Sequence, residues 1–333
     1  MKPLLNAWYI GCASLRLKEK PLAAVILDKN LVLFRDQQGK ANALQDRCCH
    51  RGMKLSQGKI ENGNLQCSFH GWQFDGAGKC AHVPSLTSGK EVSGQFKVDS
   101  YTCVEKDGYV WIWMGDAAPG VQPSIPEFEK GKWTQGVMEL QCEAIRAIDI
   151  NLDYCHVFFL HPTHPYTQIA KQRGFRDTQI ELRMTENGFV TCSEVTKSET
   201  EPMPAKAGKI YFELPDQVKL ENDVPGFGMV YIFIFAVPIG EKTCRLEYMM
   251  SQFRPSENKV EWMDQVPAIF LEDKLVLEEI QKTYDREGDS FEKTVAGDAP
   301  GMMLRQVLKL ASEGKWNEGK SKLAQRKIVD VRM

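Results

Sequence analysis

The chain has almost no net charge, no long apolar run, no cysteine framework and no phosphate-binding glycine motif. Each absence removes a class of function. With 42 Lys and Arg against 44 Asp and Glu, the formal net charge of −2 supplies no field to attract nucleic acid or an anionic membrane surface. The longest apolar stretch, near 229–239, is far shorter than the roughly 20 residues a membrane-spanning helix needs. The opening Met1-Lys2-Pro3-Leu4-Leu5-Asn6-Ala7-Trp8 lacks the apolar core and small-residue cleavage site of a secretory leader. Ten cysteines without framework spacing predict free thiols in a reducing compartment, the cytoplasm. No Gly-rich nucleotide motif, internal repeat or low-complexity segment occurs, so the chain offers no site of its own for a dinucleotide.

Histidine is also scarce, and four of the six fall into two short motifs. The first motif is Cys48-Cys49-His50-Arg51-Gly52 with Cys67-Ser68-Phe69-His70-Gly71-Trp72. It reads C-x-H, sixteen residues, then C-x-x-H. A Rieske [2Fe–2S] cluster needs such a set, because two cysteines hold one iron and two histidines the other. Structural zinc also takes Cys2His2 ligands, but its pairs usually leave two to four residues between ligands, and the first pair here leaves one. Cys49 has the wrong spacing to replace Cys48. Cys48, His50, Cys67 and His70 are therefore the candidate cluster ligands.

Residues 1–117 read as short strands and turns, and 118–333 as a second domain of mixed type. In the first, the runs 23–27 and 31–34 flank Asp28-Lys29-Asn30 as a hairpin, and Tyr109-Val110-Trp111-Ile112-Trp113-Met114 closes the section. The breakers of 115–123 read as a linker. In the second, strand patterns occupy 178–184, 188–195, 208–214, 229–237 and 243–253, and helical patterns 147–160, 258–286 and 302–325. Strands followed by a long helix predict an α+β class, with the Lys- and Arg-rich last helix as a solvated face.

On a helix over 147–160, Asp149, Asp153 and His156 share one face at i, i+4 and i+7. His161 lies off that face, but Pro162 disfavours helix at His161 and turns the chain there. Two imidazoles and a carboxylate with open positions form the facial triad of non-haem Fe(II) oxygenases. Asp273 offers the carboxylate, since it aligns with the apolar stripe Val266, Ile269, Phe270, Val276, Leu277 and Ile280. Burying it there is costly unless it is paired or metal-bound. A surface carboxylate or a partner for a buried base is the plainer reading of Asp273. Glu272, Glu278 and Glu279 lie off the stripe centre and read as solvated. His82 and His164 are left over, His164 being an alternative to His161.

With these motifs the chain resembles the oxygenase α-subunits of Rieske non-haem iron oxygenases, in their monooxygenase and demethylase branch. Shared stretches include Asn6-Ala7-Trp8-Tyr9, both cluster loops, Tyr109–Trp113, the D-x-x-H-x-x-x-x-H-P segment and Glu272-Asp273-Lys274. Respiratory Rieske proteins carry a disulfide cysteine in each loop, where this chain has Met53 and Phe69. The resemblance implies an all-β [2Fe–2S] domain, then a helix-grip domain with mononuclear Fe(II) on His156, His161 and Asp273. It implies O2 as co-substrate, a flavin- or ferredoxin-type reductase supplying NAD(P)H-derived electrons, and a head-to-tail homotrimer. Asp153 would then link His156 to the partner subunit's His70 and carry the electron. Relatives have Asn where this chain has Ile150, with Asn151 or Asp149 as substitutes. Val157, Phe158, Phe159, Phe212, Tyr231, Phe233 and Phe235 are the expected pocket lining. Hydroxylation or oxidative demethylation of a small apolar or aromatic substrate is expected, with cis-dihydroxylation or pure electron carriage as alternatives.

Overall fold

The computed structural model describes residues 4–125, 132–164, 167–168, 171–172, 174–198, 200–204, 207–224, 228–253 and 266–333. The part of the expected helix at 258–265 lies outside them. The chain divides into two compact units: Leu5–Pro126 with Ile239–Glu241, and Met1–Leu4 with Glu127–Pro238 and Lys242–Met333.

The first unit is built from β1 Ala7–Ala13, β2 Leu22–Ile26, β3 Lys29–Arg35, β4 Ala41–Gln45, β5 Lys59–Glu61, β6 Asn64–Gln66, β7 Gln73–Phe74, β8 Cys80–His82, β9 Ser100–Tyr101, β10 Cys103–Lys106 and β11 Tyr109–Met114. They pair in three small sheets, β1-β11-β10, β2-β3-β4-β9 and β5-β6-β7-β8. The β2–β3 hairpin turns at Leu27 and Asp28, with φ 51° and 60°, one residue earlier than Asp28-Lys29-Asn30 implied. Two left-handed residues match the twist of the flanking strands. Residues 117–125 are tied back to this unit. Ala117 N donates to Asn6 Oδ1 (3.0 Å), Trp113 Nε1 to Ala117 O (2.9 Å) and Ile125 N to Asp107 Oδ2 (2.7 Å). The breaker-rich stretch is bound chain, and the contact division falls after it.

The second unit has one eight-stranded antiparallel sheet. Its strands are β12 Lys132–Leu140, β13 Asp177–Met184, β14 Gly188–Cys192, β15 Lys209–Glu213, β16 Gln217–Val224, β17 Gly228–Gly240, β18 Thr243–Phe253 and β19 Arg326–Arg332, in the order β12-β18-β17-β16-β15-β14-β13-β19. Among the described residues the helices are α1 Ala144–Leu152, α2 Val157–Leu160, α3 Val266–Glu287, α4 Ala299–Ser312 and the single turn α5 Trp316–Gly319. Strands β12, β16 and β19 are absent from the sequence reading because charged residues break their alternation. The expected last helix is a correction too. It ends at Ser312, and Met303, Leu304, Val307 and Leu308 are buried in the core, so α4 is amphipathic and packed.

Helix α3 holds the entrance of α1. Glu278 Oε1 accepts from Gln141 N (2.9 Å), and Gln281 Oε1 accepts from Glu143 N (3.0 Å) and Arg146 Nε (3.2 Å). Gln281 thereby satisfies the open backbone N–H of Glu143 at the N-cap, and Glu278 pins the chain two residues before it. Glu278 is thus engaged, whereas Glu279 is solvent-exposed and pairs with Lys282. At the far side of α1, Asp149 Oδ2 lies 3.3 Å from Arg305 of α4.

Asp216, between β15 and β16, is buried with Oδ2 lacking a hydrogen bond. Burial pushes its carboxyl up to about 7, against the pull of Arg245. The folded state therefore binds a proton that the unfolded state has released, and stability falls as pH rises from about 4 to 7. Asp216→Asn should raise unfolding free energy by about 2 kcal/mol at pH 8 and change it little at pH 4. Urea denaturation at both pH values checks this, and an equal effect at both would contradict it.

Candidate functional site

In the first unit, two loops of matched geometry leave the small sheet β5-β6-β7-β8 and its neighbour. Cys48 N donates to Met53 O (2.8 Å) and Gly52 N to Cys48 O (2.9 Å). Cys67 N donates to Trp72 O (2.8 Å) and Gly71 N to Cys67 O (3.1 Å). Gly52 and Gly71 have φ of 77° and 71°, so both turns close through a left-handed residue that favours glycine. The result places both cysteines inside and both histidines at the surface. The His50 and His70 rings are 4.6 Å apart, and His50 stacks on buried Trp72 at 4.6 Å with planes 4° apart. Burial pushes the Cys48 thiol up to about 12, and the adjacent Cys67 adds to the shift. Paired buried thiols need a cation to ionise, and ferric iron supplies that charge. Two inner sulfurs and two outer imidazoles fit the split ligand set of a Rieske cluster.

In the second unit, α1 does not run on to His156 as its sequence period suggested. It stops at Leu152, and Asp153 is extended at φ −84°, ψ 121°. Asp153 Oδ1 accepts from Cys155 N at 2.6 Å, an Asx turn that competes with the helix. The one-face argument for Asp149, Asp153 and His156 is therefore corrected: Asp149 points to Arg305, and the break sets His156. Asn151 donates to Ala147 O (2.7 Å), and Ile150 packs against the core.

The ligand atoms of His156, His161 and Asp273 all lie within 4.8 Å of one another. His156 Nε2 is 3.7 Å and His161 Nε2 3.1 Å from Asp273 Oδ1. Asp273 is buried, and this Oδ1 has no well-formed hydrogen bond, an orphaned acceptor that a cation would satisfy. Both rings have their other nitrogen engaged. His156 Nδ1 donates to Asp153 O (2.9 Å), and His161 Nδ1 donates to Glu272 Oε2 (2.7 Å). Those bonds select the tautomer with the Nε2 lone pair free, as metal-binding histidines require. Burial lowers the His156 pKa, outweighing Asp273 and Asp153, whereas for His161 the Asp273 and Glu272 carboxylates overcome burial and raise it. Two imidazoles and one carboxylate fit the facial set of non-haem Fe(II).

Glu272, which reads as solvated in the sequence, is thus the orienting partner of His161. Its signal was adjacency to Asp273 alone. Glu272→Gln should weaken Fe(II) binding about 10- to 100-fold and leave the cluster spectrum unchanged. Competitive chelator titration measures this, and unchanged affinity would remove the orienting role. His164 lines the same cavity but stays outside the converging set, with its ring 6.5 Å from that of His161. Burial, then the neighbouring imidazoles, lower its pKa to about 4.

The three donors open on a cavity of about 240 Å³ in this unit. Of the expected lining, Val157 and Phe158 are there, but Phe159 is 75 % exposed and stacks on Phe175. Phe212, Phe233 and Phe235 are fully buried core, and Tyr231 does not line the space. The walls are instead Ile210, Leu220, Ile232, Ile234, Ile269 and Phe270. Strand alternation explains the error, because the aromatics at 233 and 235 point away from the face carrying Ile232 and Ile234.

Comparison with known proteins agrees with this reading of the fold. Residues 7–102 match the Rieske [2Fe-2S] domain, and residues 140–313 the vanillate O-demethylase oxygenase C-terminal domain. The chain belongs to the family of oxygenase subunits that join these two domains, the first of them a [2Fe–2S] domain. It is 36% identical over 167 residues to the oxygenase component of dicamba O-demethylase from Stenotrophomonas maltophilia, covering 49% of each chain. It is 31% identical over 161 residues to the vanillate O-demethylase oxygenase subunit of a Pseudomonas species, covering 47% of this chain and 44% of that one. The chain thus spans about half the length of the curated relatives it matches. Dicamba monooxygenase bound to dicamba has the same fold, with a TM-score of 0.76 at 22% identity over 95% of this chain and 99% of the other. NdmA of Pseudomonas putida CBB5 with caffeine gives a TM-score of 0.75 at 21% identity, over 96% and 95%.

Proposed function

We propose that the protein is the terminal oxygenase of a multicomponent system that hydroxylates or oxidatively demethylates a small, largely apolar substrate. The observation that carries this reading is the buried, unsatisfied Asp273 Oδ1 facing two free imidazole nitrogens at the head of an apolar cavity. An electron carrier has no use for that arrangement. Dicamba O-demethylase, vanillate O-demethylase and a 4beta-methylsterol monooxygenase among the relatives support the reaction class.

When bound, the cluster passes single electrons and the mononuclear iron supplies the O2 chemistry. Cys48, Cys67, His50 and His70 hold the former, and His156, His161 and Asp273 the latter. Asp153 O and Glu272 fix the two imidazoles, and the aliphatic walls exclude water and confine the substrate beside the donors. A reductase delivers NAD(P)H-derived electrons, and the protein works as a head-to-tail homotrimer. The Asp153 carboxylate is 41 % exposed and 3.9 Å from His156 Nδ1, and in such a trimer it would bridge that histidine to the partner subunit's His70 and so shorten the electron's path between subunits. Ten free cysteines are consistent with a reducing compartment, the cytoplasm. No helix among the described residues is long and apolar enough to cross a membrane.

Iron and sulfide analysis with O2 uptake tests the proposal. An oxygenase holds about three irons and two acid-labile sulfides per chain, a carrier about two of each. O2 uptake with reductase across methoxylated and methylated aromatics, coupled to formaldehyde release, would establish demethylation. Two irons and no uptake would overturn the oxygenase reading.

A further inference from the structure

One strand row in the wall of the cavity that His156, His161 and Asp273 also line carries polar groups that the protein leaves unused. Extending the registers Cys192↔Lys209 and Lys209↔Glu221 by one residue sets Ser193, Gly208 and Asn222 in one row across three strands. All three line the cavity. Gly208 N donates to Ser193 Oγ (3.0 Å), which leaves the serine proton free. A Cβ at Gly208 would stand 2.8 Å from Asn222 Oδ1 and 3.4 Å from Ser193 Oγ, so the glycine makes room for both side chains. Neither the Ser193 proton nor the Asn222 amide has a hydrogen-bond partner among the described residues. The other neutral polar side chains of the wall are engaged: Tyr154 with Thr191 (2.7 Å) and Asn151 with Ala147 O (2.7 Å).

We infer that Asn222 and Ser193 form a recognition point for a neutral hydroxyl or carbonyl group on an otherwise apolar substrate, whose reacting end faces the iron. An amide and a hydroxyl offer both donor and acceptor, which suits a group that itself donates and accepts. The aliphatic row Ile210-Leu220-Ile232 beside them, with Ile234, grips the body of the molecule. A carboxylate is disfavoured, since the charged side chains on the wall include Asp153 and Asp273, and a buried anion needs a paired cation. In such a site polar recognition discriminates more sharply than apolar fit, because a substrate lacking the group leaves the amide unpaired.

This inference rests on the oxygenase reading, so it is tested by binding without turnover. Calorimetry on the anaerobic holoprotein would compare 2-naphthol, naphthalene and 2-naphthoate. The wild type should bind 2-naphthol about tenfold or more tightly than naphthalene. Asn222→Leu should abolish that preference while holding naphthalene affinity within about twofold. Gly208→Ala, which displaces the amide, should reduce it, as should Ser193→Ala; these two carry the test if Asn222→Leu does not fold by circular dichroism. Equal affinity for naphthol and naphthalene, tightest binding of naphthoate, no binding of any probe, or a preference that survives the variants would overturn it. A protein that prefers naphthol yet holds only cluster iron and consumes no O2 would refute the oxygenase reading and leave this one standing.

Discussion

Asp273→Ala is expected to yield a protein with an intact cluster spectrum and no turnover. The substitution removes the only carboxylate among three converging donors, and with it the charge that would hold Fe(II) beside two imidazoles. Loss of an orienting partner already costs about 10- to 100-fold in metal affinity, so loss of a ligand should exceed ~100-fold. The variant should fold well. Asp273 sits on the α3 stripe among Phe270 and Leu277, and removing its unsatisfied carboxylate lifts a desolvation penalty. The iron-free variant should therefore melt at or above the temperature of the iron-free wild type. Iron analysis, visible spectroscopy and O2 uptake decide the matter together: retained activity would refute the assignment, and a lost cluster signal would show a fold defect.

Asp153→Asn is expected to keep both metals and slow electron delivery. Asparagine retains an acceptor for Cys155 N, so the turn after α1 persists, and the Asp153 carbonyl that orients His156 is backbone and unchanged. Only the partly exposed negative charge is lost, the feature that the proposed bridge to a neighbouring subunit would use. Steady-state O2 uptake should fall roughly 100-fold, with dithionite still reducing the cluster at the normal rate. The decisive measurement is reoxidation of the reduced cluster on mixing with O2 and substrate, which should become rate-limiting. Uptake within about twofold of wild type would leave Asp153 a structural residue only.

Much of the site is local chemistry and was readable in order along the chain. The two cluster loops are each closed within five residues, so spacing alone discloses Cys48, His50, Cys67 and His70 as a set. Asp273 was visible because a carboxylate breaks an apolar stripe of helical period. The reading erred where the deciding partner is distant in sequence. Glu272 looked solvated because His161 lies 111 residues away. The helix through Asp149, Asp153 and His156 was drawn too long because an Asx turn and the helical period make rival claims on Asp153.

The sequence by itself determined the donor types, their loop spacing and the α+β class, since these depend on residue chemistry and short-range periodicity. Tertiary structure alone decided which atoms converge: Asp153 O and Glu272 set the two imidazoles, and α3 brings Asp273 to them. It also decided the pocket, because strand register determines which of two alternating faces looks inward. Thus Ile232 and Ile234, rather than Phe233 and Phe235, line the cavity, and Ser193 and Asn222 meet across Gly208. A one-residue shift in pairing would reverse every such assignment, and nothing local to a single strand specifies it.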